Sequence, residues 1–190
     1  MGLKRIGGRV VGDASCFPEL SVGDYWNWGD VGNGYGSPVA GLNLNHNRYV
    51  ARFQPGAAVG SAAEFLGAEP EVPGVGWDVA VTTAVAGSGD GVMIYGGTGA
   101  TRIRIRGTVP AGGVFAVTGA VPDPARFAAQ RLDAMLRMAG VEIAHEASAG
   151  AGVTAGATTL ATHESVPLGE IVRSLHEVSD NHEAECLFRL

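Results

Sequence analysis

Of the 13 basic residues in this 190-residue chain, only Lys4 is a lysine. That scarcity excludes any mechanism requiring a lysine in mid-chain. Cysteine is almost as rare: Cys16 and Cys186 stand far apart and form no C-x-x-C pair, so neither a disulfide scaffold nor a zinc knuckle is supported, and both are expected to be ordinary buried thiols. No run approaches the 18 or so apolar residues of a membrane span. The opening Met1-Gly2-Leu3-Lys4-Arg5-Ile6-Gly7-Gly8-Arg9 has no apolar h-region or cleavage site, so no signal peptide is expected in this chain. A formal charge of -6 and a pI near 5.3 argue against nucleic acid as a partner, because a phosphate-backbone binder needs a basic face.

The residues that are present describe a globular chain. A hydrophobic fraction of 46% supplies a core for one ordinary domain or two small ones, while 30 Gly and 9 Pro demand many turns. The first 120 or so residues read as β-rich. Within residues 39–55, Leu42 and Leu44 alternate with polar neighbours, Asn45-His46-Asn47 follows, and Tyr49, Ala51 and Phe53 alternate again, which predicts two short strands around a polar turn. Further strands are expected at 78–86, 92–95, 101–106 and 114–119. In Thr101-Arg102-Ile103-Arg104-Ile105-Arg106 one face is apolar and the other carries three arginines, a half-exposed strand whose charged side is read as solvated rather than as a basic groove.

Two glycine-rich stretches, Gly87-Ser88-Gly89-Asp90-Gly91 and Gly96-Gly97-Thr98-Gly99, invite a phosphate-loop reading. Neither ends in Gly-Lys-Ser/Thr and neither opens a helix, so hairpin turns are expected. Trp26 and Trp28 could form a sugar-stacking platform or pack beneath a loop. His46, His145, His163, His176 and His182 show no metal-ligand spacing, so no metal or cofactor is expected.

Near Val121 the periodicity changes from two to helical. Asp123 can cap a helix whose first residue is Pro124, with Ala128, Leu132, Met135, Leu136 and Ala139 on one face and Gly140 at its end. A short strand is expected at 141–144 and a Gly/Ala-rich connection at 147–157. A second amphipathic helix begins near Pro167 with Leu168, Ile171, Val172, Leu175 and Val178 on its apolar side. Ser179-Asp180-Asn181 breaks it, and a third helix burying Ala184, Leu187 and Phe188 follows.

Ser179-Asp180-Asn181 is a Ser-x-Asn element between two helices, preceded by Ser165-Val166-Pro167-Leu168 and continued by His182-Glu183-Ala184-Glu185-Cys186-Leu187. Upstream stand Gly12-Asp13-Ala14-Ser15-Cys16-Phe17, the run from Tyr35-Gly36-Ser37-Pro38 to Asn45-His46-Asn47, then Pro55-Gly56, a segment at 107–110, and Ala120-Val121-Pro122-Asp123-Pro124-Ala125. In this order the chain resembles the D-alanyl-D-alanine carboxypeptidase/endopeptidase family, the class C low-molecular-mass penicillin-binding proteins.

The resemblance implies an α+β fold: a β-rich inserted region at 1–121, then part of a transpeptidase-like catalytic domain at 122–190. It also implies an extracytoplasmic serine peptidase acting on peptidoglycan stem peptides and acylated by β-lactams, in which Ser179 relays a proton and the Asn181 amide orients substrate. Two of the family's three motifs are absent. Ser-x-x-Lys ending at Lys4 would need a serine where Met1 stands, and Lys-Thr-Gly would need a threonine where Arg5 stands. The chain is therefore expected to be a truncated, inactive member of the family. The alternative is a non-catalytic module derived from it that binds peptidoglycan or a protein.

Overall fold

The computed structural model describes residues 2–17, 22–152 and 155–190. Among the described residues ten strands and three α-helices run in the order β1 (Arg5–Ile6), β2 (Val11–Gly12), β3 (Arg48–Gln54), β4 (Glu64–Glu69), β5 (Gly76–Ala84), β6 (Gly91–Tyr95), β7 (Arg102–Pro110), β8 (Phe115–Ala120), α1 (Pro124–Met138), β9 (Glu142–Ile143), β10 (Ser148–Ala149), α2 (Leu168–Val178) and α3 (Asn181–Phe188). The fold is α+β, as expected.

Two three-stranded sheets hold the core. In the first, β3 lies between β4 and β8, antiparallel to both; in the second, β7 lies between β5, parallel, and β6, antiparallel. Period-two patterning builds both. Tyr49, Ala51 and Phe53 of β3 are fully buried, as are Ile103 and Ile105 of β7, and these join Val81, Ile94, Val109 and Val117 in one cluster. Tyr49 meets Trp77 edge-on at 5.3 Å between ring centroids, and Trp77 meets Phe65 at 5.1 Å, so aromatics from β3, β4 and β5 knit the two sheets together. The three arginines of β7 face outward as expected. Arg104 Nε and Arg106 Nη2 donate to Asp78 of β5 at 2.9 and 2.8 Å, so this charged side is partly neutralised by its neighbouring strand.

Several expectations are corrected. Leu42 and Leu44 lie in no strand: residues 38–44 form a loop, with Asn43 satisfying the backbone of Ala40 through both its side-chain atoms. The strand β4 was not anticipated, since Gly67 interrupts its pattern at a bulge where φ is +115°. Gly96-Gly97-Thr98-Gly99 does turn between adjacent β6 and β7, but residues 87–91 join β5 to β6, which flank β7, and so make no hairpin. Cys16 is exposed and Cys186 half-buried, not fully buried.

Helix α1 starts as read, with Pro124 first and the Asp123 carboxylate accepting from Arg126 N at 3.0 Å. Its buried residues, however, are Pro124, Ala125, Phe127 and Ala129, whereas Leu132 is 50% and Met135 61% exposed. The first two turns are enclosed on two sides. Phe127 enters the sheet core, and the opposite side packs on β2, β9 and β10, strands paired in parallel as β1 with β9 and β2 with β10. A helix flanked on both sides in this way does not follow a single-stripe pattern. Gly12 of β2 makes the approach possible, because a Cβ there would collide with the Ala125 carbonyl.

This contact is testable. Gly12→Ala should destabilise the chain by about 1–3 kcal/mol, the usual cost of overpacking. Gly113→Ala, where an added Cβ meets nothing within 4 Å, is the control and should stay within ~0.5 kcal/mol. Urea denaturation of both variants checks the expectation, and equal midpoints would refute the close packing of β2 on α1.

Candidate functional site

The polar turn Asn45-His46-Asn47 is the local feature from which the site is built. All three residues have left-handed φ, at 54°, 49° and 53°, and Asn is among the few residues that accept this region. Asn47 is fully buried and works as a junction. Its Oδ1 accepts from Leu44 N at 3.2 Å; its Nδ2 donates to Pro38 O at 2.8 Å and to Asn43 Oδ1 at 2.5 Å, and also lies 3.0 Å from His182 Nε2. Its carbonyl accepts from Val121 N at 2.7 Å, tying the turn to the residue after β8.

Arg48, the first residue of β3, continues the junction. Its Nε donates to Ser37 Oγ at 3.0 Å and its Nη1 to Asp180 Oδ2 at 2.9 Å, while Ser37 Oγ donates to Gly34 O at 2.8 Å. The other Asp180 oxygen accepts from Glu183 N at 2.9 Å and caps α3. Burial alone would raise the Asp180 pKa, but the Glu183 N–H, Arg48 and His46 together outweigh it and hold the carboxyl below its ordinary range. His182 is 4% exposed, and that burial, reinforced by the nearby charge of His46, pushes its pKa down to about 4. Burial likewise pushes the Cys186 thiol up to about 11, with Asp180 and Glu183 adding to the effect.

This anchoring decides how Ser179 and Asn181 are presented. Ser179 closes α2 with φ 54° and ψ 51°, a left-handed cap, and Asp180 N donates to Leu175 O at 3.0 Å. Asp180 points inward at 8% exposure, and its neighbours on either side are exposed. Among the described residues the Ser179 hydroxyl and the Asn181 amide make no side-chain hydrogen bond, because Asp180 does the capping. Both line a pocket of about 370 Å³ together with Tyr35, Arg48, Asp90 and Thr118. The segment at 32–34 supplies one wall by pairing with the free edge of β8, through Gly34 N to Thr118 O and Ala120 N to Gly32 O, each at 2.9 Å.

The third helix is docked by its polar first turn: His182 is its buried residue, while Ala184 and Phe188 are exposed and Leu187 is half-buried, correcting the apolar docking expected from the sequence. Arg48 was missed by sequence reasoning, since its partner lies 132 positions away and no local pattern marks it. Trp28 is 85% exposed and Tyr25 fully exposed, so Trp28 does not pack beneath its loop; neither residue lines the Ser179 pocket.

A model of the D-Ala-D-Ala carboxypeptidase 3 (S13) family matches residues 1–190. D-alanyl-D-alanine carboxypeptidase DacB of Haemophilus influenzae is 26% identical over 195 residues, taking in 99% of this chain and 39% of that protein. D-alanyl-D-alanine carboxypeptidase of Actinomadura sp. (strain R39) is 26% identical over 199 residues, 99% of this chain and 36% of that protein. The chain therefore spans less than two-fifths of the length of either relative. The crystal structure of penicillin binding protein 4 (dacB) from Haemophilus influenzae superimposes with a TM-score of 0.80 at 24% identity, over 99% of this chain and 41% of that one, which establishes the shared fold. A second structure of that protein, complexed with a novel β-lactam, matches 80% of this chain and 35% of that one with a TM-score of 0.60 and 22% identity.

Arg48 should carry measurable stability. Arg48→Met leaves the Asp180 carboxylate without its cation and should cost about 2 kcal/mol, less than for a fully buried pair because a quarter of the Arg48 side chain is exposed. Adding Asp180→Asn, which removes the charge and retains an N-capping side chain, should recover part of the loss. Denaturant titrations of the single and double variants measure this. A loss under ~0.5 kcal/mol in Arg48→Met would make the pair an ordinary surface contact.

Proposed function

The chain belongs to the D-Ala-D-Ala carboxypeptidase 3 (S13) family, and from that premise we propose that it is the Ser-x-Asn-bearing part of a serine-type D-Ala-D-Ala carboxypeptidase/endopeptidase acting on peptidoglycan stem peptides outside the cytoplasmic membrane. In this reading residues 1–121 are the β-rich inserted region and residues 122–190 belong to the catalytic domain. No helix among the described residues is long and apolar enough to cross a membrane.

The observation that carries the reading is the orientation of the Ser179-Asp180-Asn181 turn. Its middle residue is held inward by Arg48 and by the first turn of α3, so the outer two present a hydroxyl and an amide, free of side-chain hydrogen bonds among the described residues, to a single pocket. A hydroxyl so placed can pass a proton to a departing amine, being donor and acceptor at once; an amide can hold both the N–H and the C=O of a substrate peptide group. Ser179 is the proton-relay residue and Asn181 the substrate-orienting residue of this proposal.

The finer part of the proposal concerns activity. The sequence contains neither Ser-x-x-Lys nor Lys-Thr-Gly, so no lysine stands one turn after a serine to take its proton, and an unassisted serine hydroxyl is a poor nucleophile at neutral pH. The chain alone forms no acyl-enzyme. β-Lactam binding, which one structural neighbour displays, is assigned to the complete protein.

A fluorescent penicillin tests both statements. The 190-residue chain should take no covalent label. In a protein completed with a relative's Ser-x-x-Lys and Lys-Thr-Gly segments, Ser179→Ala should slow acylation by about 10²-fold, as for other general acid-base groups, with an unchanged melting temperature. Normal acylation with a lowered melting temperature would return the turn to a purely structural role, and a stoichiometric adduct on the isolated chain would overturn the claim of inactivity.

A further inference from the structure

The Asn45-His46-Asn47 turn and the start of α3 bring together donors that no sequence spacing announces. His46, Asp180 and His182 each offer one ligand atom, and the three atoms lie within 4.8 Å of one another. We propose that these residues form a divalent transition-metal site, with Zn²⁺ the ion best matched to two imidazoles and a carboxylate, and that Glu183 orients the His46 imidazole from its other nitrogen. The proposal does not depend on the peptidase reading.

Two features of the surroundings suit a cation at this place. The first is at His182. The two hydrogens of the Asn47 amide already have close acceptors in Pro38 O and Asn43 Oδ1, at 2.8 and 2.5 Å, so His182 Nε2 at 3.0 Å is a third acceptor competing for them. The amide cannot be turned around, since its oxygen accepts from Leu44 N. The proton of the imidazole is therefore assigned to Nδ1, which faces Cys186 Sγ at 3.9 Å, and the buried Nε2 lone pair shares the Asn47 amide hydrogens with two other acceptors. The second feature is Glu183. Its Oε2 is buried with no hydrogen-bond partner among the described residues, while its Oε1 stands 3.9 Å from His46 Nε2.

The remaining geometry suits such an ion. His46 Nδ1 is 3.5 Å from Asp180 Oδ2, close to the roughly 3.3 Å that separates two ligands of a tetrahedral zinc with bonds of about 2.0 Å. Asp180 keeps coordinating capacity, because Arg48 and Glu183 N occupy one lone pair on each oxygen, and these partners orient it as an outer shell does in a metal site. His182 is fixed by α3, whereas the His46 side chain is 45% exposed and free to close the site. Access exists as well: a cavity of about 440 Å³ is lined by His46, His182, Glu183 and Cys186. Bound there, the ion would join the left-handed turn to the residue at the centre of Ser179-Asp180-Asn181.

The test uses the 190-residue chain, Zn²⁺ and Co²⁺. Calorimetric titration should show one Zn²⁺ per chain with Kd in the micromolar range or tighter, and Co²⁺ should give the visible absorption of a four-coordinate site. His46→Asn keeps a residue that tolerates left-handed φ, so it should fold normally while weakening Zn²⁺ at least tenfold and removing the Co²⁺ band. His182→Gln, a buried change, is the second variant and should do the same wherever it remains folded. Replacing the exposed His145, His163 and His176 together should change nothing. Absence of stoichiometric uptake at millimolar Zn²⁺, an affinity unmoved by His46→Asn, or binding lost with the other three histidines would each overturn the proposal.

Discussion

The Asn47–Arg48 junction is the interaction on which the rest of the candidate site depends. One buried asparagine, through its amide and its backbone carbonyl, and the arginine beside it reach the loop at 38–44, Ser37, the residue after β8 and both Asp180 and His182 of the α3 turn. Hydrogen bonds of this kind are directional, and each buried partner left unpaired would cost about 1–3 kcal/mol. The junction therefore sets orientation more sharply than an apolar contact of the same area, which tolerates sliding. That matters because α2 has no buried residue and packs chiefly on α3, so the position of the whole helical pair follows from how the first turn of α3 is held.

The sheets play a different part. Tyr49, Phe53, Ile103 and Ile105 are fully buried, and this core holds β3 rigidly. Arg48 and Asn47 lie at the end of that strand, so the junction inherits the rigidity of the core while remaining at its rim. Functional side chains carried at the edge of rigid elements keep their geometry better than those on free loops. Ser179 and Asn181 are on a turn, yet the turn is tied at its midpoint to β3, which gives it the precision of the strand.

Family membership and the site geometry bear on each other. The family match covers the whole chain, whereas the chain covers 39% and 36% of the two relatives. The shared part includes Ser179-Asp180-Asn181, which lies where β3 and the helical pair meet through polar contacts. The placement of the Ser179 hydroxyl and the Asn181 amide depends on these polar contacts, because Asp180 between them is held by Arg48 and by the first turn of α3.

Local patterns determined a good deal. Alternation in Tyr49, Ala51 and Phe53, and in Ile103 and Ile105, specified strands and their buried faces, because a period of two has one inward face wherever a sheet covers a core. Asp123-Pro124 specified the start of α1, and Ser179-Asp180-Asn181 the break between α2 and α3, because capping chemistry is local to one turn. The order of motifs along the chain specified the family. Tertiary structure decided everything that joins distant residues: that β7 inserts between β5 and β6, that α1 is enclosed on two sides and buries Phe127 in place of Leu132, that α3 docks through His182 in place of Phe188, and that Arg48 meets Asp180 across 132 positions. Periodicity reports how polar and apolar residues alternate along one element. It carries no information about which partner an element meets, and a polar anchor such as Arg48 or His182 reads in one dimension like any solvated side chain until the fold removes its water.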